Sequence, residues 1–342
     1  MNSAASDQPW VAGVHVLPAD SGHVWSPLRR SVTRARYRMA QAALNRVMRI
    51  GIKSWKENPA AFQRLLERGR AKWDKPLFPM TMDVDAVKTK APAPDLVAAP
   101  IPSDWFAPRQ TQPNGLVFYV HGGSFILERS PRVTSVVARL AAAANARVFA
   151  PNYRLAPENP CPAAVEDVVA AYRWHKSLRP EEPVVALAEC AGTAILLAAL
   201  QKLRDAGDEL PKAIVLLSPW VDLTLQSWSV LSASLAGTTP YTMESLAVMA
   251  HLYLQGMPAN DPIASPLFGD FSQFPPILIH ASREDILFDD AIRLAERVRD
   301  TGGDLTVRFW TDEVHVWERM HSAKSRQSIA LAAKFMRHRL DA

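Results

Sequence analysis

Hydrophobic runs alternate with amphipathic segments along most of the chain beyond residue 110. Short runs that are apolar throughout predict buried strands, and longer segments with apolar residues every three or four positions predict helices. Strands are expected at residues 115–121, 146–151, 183–188, 213–218, 276–281 and 305–310, and helices at 131–144, 161–177, 191–205, 288–302 and 324–340. This alternation is typical of a mostly parallel sheet that helices cover on both faces.

Two parts of the chain depart from the alternation. Residues 31–50 and 59–72 carry apolar residues at helical spacing, and a stretch rich in Pro and Ala near residues 91–102 separates them from the strands. A long mixed insertion at residues 225–257 follows Pro219-Trp220. We expect residues 1–75 to form a helical cap segment and residues 76–342 to form the main domain, with a second cap piece at 225–257.

Composition narrows the class of protein. With 342 residues and 48% hydrophobic content, the chain can bury a sizeable core. It shows neither a secretory signal pattern nor 18 consecutive apolar residues, so we expect a soluble, cytoplasmic protein without stable membrane insertion. Two cysteines cannot supply a disulfide framework or a cysteine zinc site, and the nine histidines lack metal-ligand spacing. No metal is expected.

Charge is distributed unevenly. Residues 29–75 hold 14 Lys or Arg against three acids, which gives this segment +11 and the remainder of the +5 chain −6. A solvated helical surface is the simplest interpretation, and attraction of an acidic substrate or a membrane surface stays open. No nucleic-acid-binding motif accompanies the charge, so no nucleic-acid partner is expected. A homodimer is left open.

The most informative segment is residues 183–197, where an apolar strand breaks at Cys190 and an apolar helix follows. Ala188 and Gly192 stand two positions before and after the cysteine, as the crowded turn of a nucleophile elbow requires. At the amide-rich N-terminus of the helix, a thiol is biased toward thiolate. The alternative is a buried cysteine that acts only as a small hydrophobe.

A glycine pair follows the predicted strand at 115–121. His121-Gly122-Gly123 comes directly off this strand, where two glycines let the backbone approach a substrate closely. Their amides could then bind a developing oxyanion. An ordinary glycine turn is the alternative.

An acid and a histidine complete the pattern. Asp285 ends the strand at 276–281, with Glu284 as its nearest rival, while Asp289 and Asp290 are more natural as acids of the next helix N-terminus. His315 follows the last strand. The chain order nucleophile, acid, histidine is that of the α/β-hydrolase triad.

The chain resembles the hormone-sensitive-lipase-like family of α/β hydrolases over residues 75–340. The landmarks are His121-Gly122-Gly123, Tyr153-Arg154-Leu155-Ala156-Pro157-Glu158, the elbow at 188–192, Ser218-Pro219-Trp220-Val221-Asp222-Leu223-Thr224, Asp285 with Leu287 and Asp289, and His315. The resemblance implies an α/β-hydrolase fold and a carboxylesterase without a cofactor. It also implies Cys190 as nucleophile, His315 as base, Asp285 as orienting acid, and the amides of Gly122, Gly123 and Ala191 as the oxyanion hole.

This chain departs from the family pattern at the elbow. The family elbow normally reads Gly-Asp-Ser-Ala-Gly-Gly, whereas this chain has Ala188, Glu189 and Cys190 in the first three positions. Glutamate is ordinary there for the family, alanine adds a methyl group at the tightest point, and cysteine changes the chemistry. A thiol can form an imidazolium pair with histidine, and its acyl-enzyme is a thioester.

Three functions follow. The first is an enzyme that hydrolyses small acyl esters or lactones, or that transfers the acyl group to an amine or alcohol. The second is a small-molecule binder on an esterase scaffold, like the plant hormone receptors on this fold, although a binder needs neither His315 nor Asp285. In the third, Cys190 replaces a natural serine in an engineered variant.

Overall fold

The computed structural model describes residues 101–108, 112–129, 131–237, 241–320 and 322–342, strand segments at 13–16 and 86–89, and the single residues 46, 50, 53, 57, 58, 60, 64, 67, 68 and 239. The helices predicted at 31–50 and 59–72, and most of the predicted cap segment 1–75, lie largely outside the described residues.

A single sheet of nine strands forms the centre of this described part. The strand order is β1-β9-β8-β7-β6-β4-β5-β3-β2, in which β2 and β3 are antiparallel to their neighbours and the other pairings are parallel. The strands are β1 (Gly13–Val16), β2 (Ala86–Thr89), β3 (Ser103–Pro108), β4 (Leu116–Val120), β5 (Arg147–Pro151), β6 (Val184–Glu189), β7 (Ile214–Leu217), β8 (Ile277–Ser282) and β9 (Leu305–Trp310).

The long helices of the described part connect these strands. They are α1 (Pro131–Ala144), α2 (Ala163–Leu178), α3 (Ala191–Asp205), α4 (Trp228–Ala236), α5 (Met243–Leu254), α6 (Phe288–Asp300) and α7 (Ala323–Leu340), with short 3-10 turns at Pro266–Phe268 and Trp317–Arg319. The six predicted strands and five predicted helices agree with this order to within two residues at each end. None of these helices combines the length and apolar character needed to cross a membrane.

The sheet is buried on both faces because its strands carry apolar residues on both. Along β4, Leu116 and Phe118 face the core under α2, α3 and α6, whereas Val117 and Tyr119 face the core under α1 and α7. A parallel sheet needs this double burial. The prediction of an α/β sheet covered by helices on both sides is confirmed.

Three strands of the described part, β1, β2 and β3, lack a prediction, and all three lie toward the sheet edges. β1 has four residues, too few for a clear pattern, and it pairs with β9 although it lies within the segment predicted to be a helical cap. β3 begins in the stretch predicted as a boundary, where Pro102 and Ser103 suggest a loop. β1 and β3 therefore form because they pair with strands distant in sequence, β9 and β5, and not because of a local sequence signal.

The insertion at 225–257 forms α4 and α5, next to the carboxyl ends of the strands. Tyr253 of α5 stacks on Phe125, which follows the glycine pair, with ring centroids 4.0 Å apart. Tyr241, just before α5, meets the ring of His315 edge-on at 5.7 Å. The insertion therefore contacts both the glycine loop and the histidine loop.

Candidate active site

Cys190 lies at a sharp turn between β6 and α3. Its backbone has φ 50° and ψ −129°. Residues other than glycine rarely adopt this conformation, and they do so where the surrounding structure enforces it. The turn is held by hydrogen bonds from Cys190 N to Leu217 O (3.0 Å) and from Trp220 N to Cys190 O (3.2 Å). The strained turn is the geometry expected of a nucleophile elbow.

Gly192 lets the first turn of α3 pack against the end of β4. A Cβ atom at this position would lie 2.4 Å from His121 O and 2.5 Å from Val120 O. No side chain fits there, so the glycine two residues after Cys190 is required by the contact between the elbow and the strand that leads to the glycine loop.

Asp285 and His315 lie beside this turn. His315 Nδ1 is 2.9 Å from Asp285 Oδ2 and 3.1 Å from Oδ1, and the Asp285 side chain is buried. The His315 ring also lies near the Cys190 thiol and interacts with it electrostatically, which favours the thiolate. Glu284, the alternative acid, is exposed and accepts a hydrogen bond from Asp312 N at 2.8 Å. The structure thus brings together Cys190, His315 and Asp285, and leaves Glu284 outside.

Ser218, at the end of β7, fixes the acid and the histidine loop together. Its hydroxyl accepts a hydrogen bond from Val316 N at 3.1 Å and interacts with the Asp285 carboxylate, which lowers the pKa of Asp285. Leu287 N also donates to Asp285 Oδ1 at 3.1 Å. Ser218 and Leu287 therefore hold the Asp285 carboxylate in the orientation in which it contacts His315.

Electrostatics favours the charged form of the Cys190–His315 pair. Burial opposes ionisation of the thiol, but the charge and hydrogen bond of His315 outweigh it, and the pKa of Cys190 lies below its ordinary value. Burial likewise disfavours the imidazolium, yet Asp285 and the Cys190 thiolate raise the pKa of His315 well above its ordinary value. Both shifts favour transfer of the thiol proton to His315, which is the direction that makes a cysteine nucleophilic.

The glycine loop lies across from the elbow. His121 is buried and neutral: burial, partly offset by the hydrogen bond of Nδ1 to Gly122 O (2.7 Å), lowers its pKa to about 4. Tyr153 stacks on its ring and donates to His121 O at 2.6 Å. Gly123 has φ 139°, and a Cβ there would lie 2.4 Å from Leu127 O, so only glycine fits this turn. His121 thus shapes the loop.

Glu189, immediately before Cys190, is fully buried among polar partners. It accepts hydrogen bonds from Tyr119 Oη at 2.9 Å and from Arg319 Nη2 at 2.8 Å. Burial raises the pKa of Glu189, but Arg319 and these hydrogen bonds bring it below its ordinary value. The Gly122 amide faces the same carboxylate and contributes to this lowering, so its place in the oxyanion hole stays a prediction.

Sequence reasoning did not find Arg319 or Tyr241 as residues of this site. Arg319 lies four residues after His315, and its guanidinium approaches both Glu189 and the glycine loop at Gly122. Glu189 ends a buried strand, and a buried carboxylate requires a partner of opposite charge. This indicates that some basic residue binds Glu189, but the chain contains too many arginines for the sequence to show which one. Among the described residues, no group of three or more His, Cys, Asp or Glu side chains is arranged to hold a metal ion.

A mostly parallel sheet with an elbow-like turn after β6, an acid after β8 and a histidine after β9 has the arrangement of an α/β hydrolase. Residues 117–319 match the family model described as alpha/beta hydrolase fold, and the chain belongs to this family, in its hormone-sensitive-lipase-like branch. The predicted α/β-hydrolase fold is therefore confirmed.

Relatives of this chain are named as esterases. An acetyl-hydrolase of Streptomyces hygroscopicus is 37% identical over 238 residues, which is 69% of this chain and 79% of the relative. An esterase of Acinetobacter venetianus is 27% identical over 66% of this chain and 76% of its own length. The crystal structure of EstE5 soaked with p-nitrophenyl butyrate superposes with a TM-score of 0.72 at 32% identity, covering 81% of this chain and 92% of EstE5.

Proposed function

We propose that this protein is a carboxylic ester hydrolase that works through a covalent acyl-enzyme on Cys190. The observation that carries the proposal is the strained turn at Cys190 after β6, beside a His315–Asp285 pair (2.9 Å) whose residues follow β9 and β8. The relatives named acetyl-hydrolase and esterase support an ester substrate with a short acyl group.

The first half-reaction forms a thioester. The Cys190 thiolate attacks the ester carbonyl carbon, and the carbonyl oxygen becomes an oxyanion that accepts hydrogen bonds from the amides of the proposed hole, Gly122, Gly123 and Ala191. Protonated His315 gives its proton to the departing alcohol oxygen as the ester C–O bond breaks. Asp285 keeps the ring oriented and stabilises its positive charge while the proton is on it.

The second half-reaction releases the acid. Neutral His315 takes a proton from water as the water oxygen attacks the thioester carbonyl, and a second oxyanion forms in the same hole. The C–S bond then breaks, the carboxylic acid leaves, and the Cys190 thiolate returns beside the imidazolium. Gly122 stays one of the three proposed oxyanion donors, and its amide also helps to lower the pKa of the neighbouring Glu189 carboxylate.

Acyl transfer is the second candidate reaction, and the thiol favours it. A thioester reacts with amines and alcohols more readily than an oxygen ester does, so an acceptor that reaches the site would compete with water. Aromatic side chains from the cap lie on both sides of the site, where Tyr241 contacts His315 and Tyr253 contacts Phe125. They offer an apolar environment that suits an organic acceptor or leaving group.

A non-catalytic binder is the third candidate, and the triad opposes it. Ligand binding does not require a buried acid that accepts a hydrogen bond from Leu287 N and binds a histidine beside a thiol. These contacts have a clear use only in proton transfer.

The test is hydrolysis of p-nitrophenyl esters with acyl chains of increasing length, by the natural chain and by Cys190→Ala and Cys190→Ser variants. We expect turnover that falls to background in Cys190→Ala and a preference for short chains. Adding an amine or alcohol acceptor then separates the two reactions, because transfer yields a new amide or ester while hydrolysis yields only free acid. Full turnover by Cys190→Ala would overturn the proposal.

A further inference from the structure

Three separate segments of the site meet at the Glu189 carboxylate. Glu189 is the residue before the nucleophile, and its side chain is fully buried. It accepts from Tyr119 Oη of β4 and from Arg319 of the histidine loop, and the Gly122 amide of the oxyanion loop faces it. One carboxylate thus joins the elbow, the oxyanion loop and the histidine loop, which are far apart in sequence.

Arg319 binds this carboxylate with two nitrogens. Nη2 lies 2.8 Å from Glu189 Oε1 and Nε lies 3.3 Å from Oε2, so the guanidinium has the forked geometry that fixes both partners. A Cβ atom placed on Gly122 would lie 3.4 Å from Arg319 Nη2 and 2.9 Å from Cys190 Cβ, so Gly122 separates the guanidinium from the cysteine by a short distance. The positive charge therefore lies beside the oxyanion loop and the nucleophile.

The segment that carries Arg319 is held firmly from its outer side. Arg139 of α1 donates to the carbonyl oxygens of Glu318 and Met320, and Ser325 of α7 donates to Glu318 O at 3.0 Å. The 3-10 turn at Trp317–Arg319 is thus anchored to helices of the scaffold. Arg319 transmits that anchoring inward to the elbow, and His315 lies on the same loop only four residues earlier.

We propose that Arg319 is a positioning residue for the reaction of Cys190: through Glu189 it holds the three loops in register, and its positive charge stabilises the thiolate. This role rests on the proposed function of Cys190 as nucleophile. Arg319 and Glu189 have opposite charges and therefore opposite effects on the pKa of Cys190. The guanidinium favours the thiolate, and the carboxylate disfavours it.

Because the two charges are opposite, their removal should shift the pKa of Cys190 in opposite directions. A purely structural role of Arg319 does not predict such opposite shifts. The rate of Cys190 alkylation by iodoacetamide is measured across pH, with the modified cysteine assigned by peptide mass, in the natural chain and in three variants. Arg319→Met should move the midpoint of the pH profile upward by on the order of one unit, because the cation that favours the thiolate is lost. Glu189→Gln should move the midpoint downward, and the double variant should lie between the two.

Two further variants control for loosening of the loop. Arg319→Lys keeps the charge but not the fork, so its midpoint should stay near that of the natural chain while kcat falls. Arg139→Met removes the outer anchor of the same turn without removing a charge beside Cys190, and its midpoint should not move. In ester hydrolysis, Arg319→Met should lower kcat at least tenfold with KM changed less than threefold.

Alkylation requires no ester, so the two proposals fail separately. If Arg319→Met and Glu189→Gln leave the midpoint unchanged, or move it in the same direction, the role of Arg319 is wrong even if Cys190 is acylated. If the midpoints move in opposite directions while no ester acylates Cys190, the role of Arg319 stands and the proposed reaction falls. A variant that does not fold is recognised by circular dichroism, and Arg319→Gln, which also removes the positive charge and should also move the midpoint upward, then replaces Arg319→Met.

Discussion

Replacing Gly192 by alanine should separate the turn at Cys190 from the glycine loop that begins at His121. The added Cβ would lie 2.4 Å from His121 O and 2.5 Å from Val120 O, whereas ordinary contacts begin at 3.4 Å. The difference between 3.4 and 2.4 Å means that the start of α3 must move away from the end of β4 by about 1 Å. Backbone carbonyls cannot rotate out of the way as a flexible side chain can.

Two effects of this substitution oppose each other. Alanine favours a helix over glycine by about 1 kcal/mol, while overpacking of a buried contact costs roughly 1–3 kcal/mol. We therefore expect a net loss of up to about 2 kcal/mol in the free energy of unfolding. A displacement of 1 Å between a nucleophile and its oxyanion donors lowers kcat by about 100-fold. The effect on catalysis should thus be much larger than the effect on stability.

Urea denaturation and ester hydrolysis measure the two effects separately. Gly207→Ala is the matched control, because Gly207 follows the other end of α3, has φ 78° and has no atom within 4 Å of an added Cβ. It should lose about 1–2 kcal/mol through its backbone conformation and keep full activity. If Gly192→Ala keeps the activity of the natural chain, the contact between α3 and the glycine loop does not position the site.

Other contacts of the site lead to further predictions. Asp285→Asn should lower kcat by roughly 10³- to 10⁴-fold with little change in KM, because His315 loses its orienting carboxylate, and steady-state kinetics would show a smaller loss if Glu284 replaced it. Tyr153→Phe should cost about 1–3 kcal/mol in urea denaturation by leaving His121 O without its donor, and unchanged stability would remove that contact from the account. The pKa of Glu189 is lowered by folding, so its contribution to stability is present above about pH 4.3 and is lost as pH falls, and Glu189→Gln should flatten the acid side of the stability profile measured by urea denaturation. An equally steep acid side in that variant would contradict the shift.

The sheet and its helices could be predicted because local patterns and burial agree there. The apolar runs at β4, β6 and β8 are buried on both faces, so their signal is strong and their bounds are nearly correct. β1 and β3 carry no comparable signal, because each is specified mainly by the distant strand it pairs with. Elements at a sheet edge depend on the whole fold.

The site shows the same division. Cys190 and the glycine pair belong to short motifs in which neighbouring residues determine the local geometry, so sequence alone could place them. Arg319 and Tyr241 enter the site from segments more than 50 residues from Cys190 in sequence, and only the packing of the loops places them there. Ser218 was recognised within a family landmark, but its contact with Val316 depends on how the loop after β9 packs against the end of β7.

Cys190 as the nucleophile is the central claim, and the mass of the acylated protein tests it most directly. The protein is mixed with p-nitrophenyl butyrate, quenched in acid within the first turnover, and examined by intact mass and peptide mapping. The account predicts one butyryl group on Cys190 that hydroxylamine removes as a thioester, none in Cys190→Ala, and slower formation in His315→Ala. Turnover of the ester with no acyl group on Cys190 at any time, and with the Cys190→Ala variant still active, would contradict it.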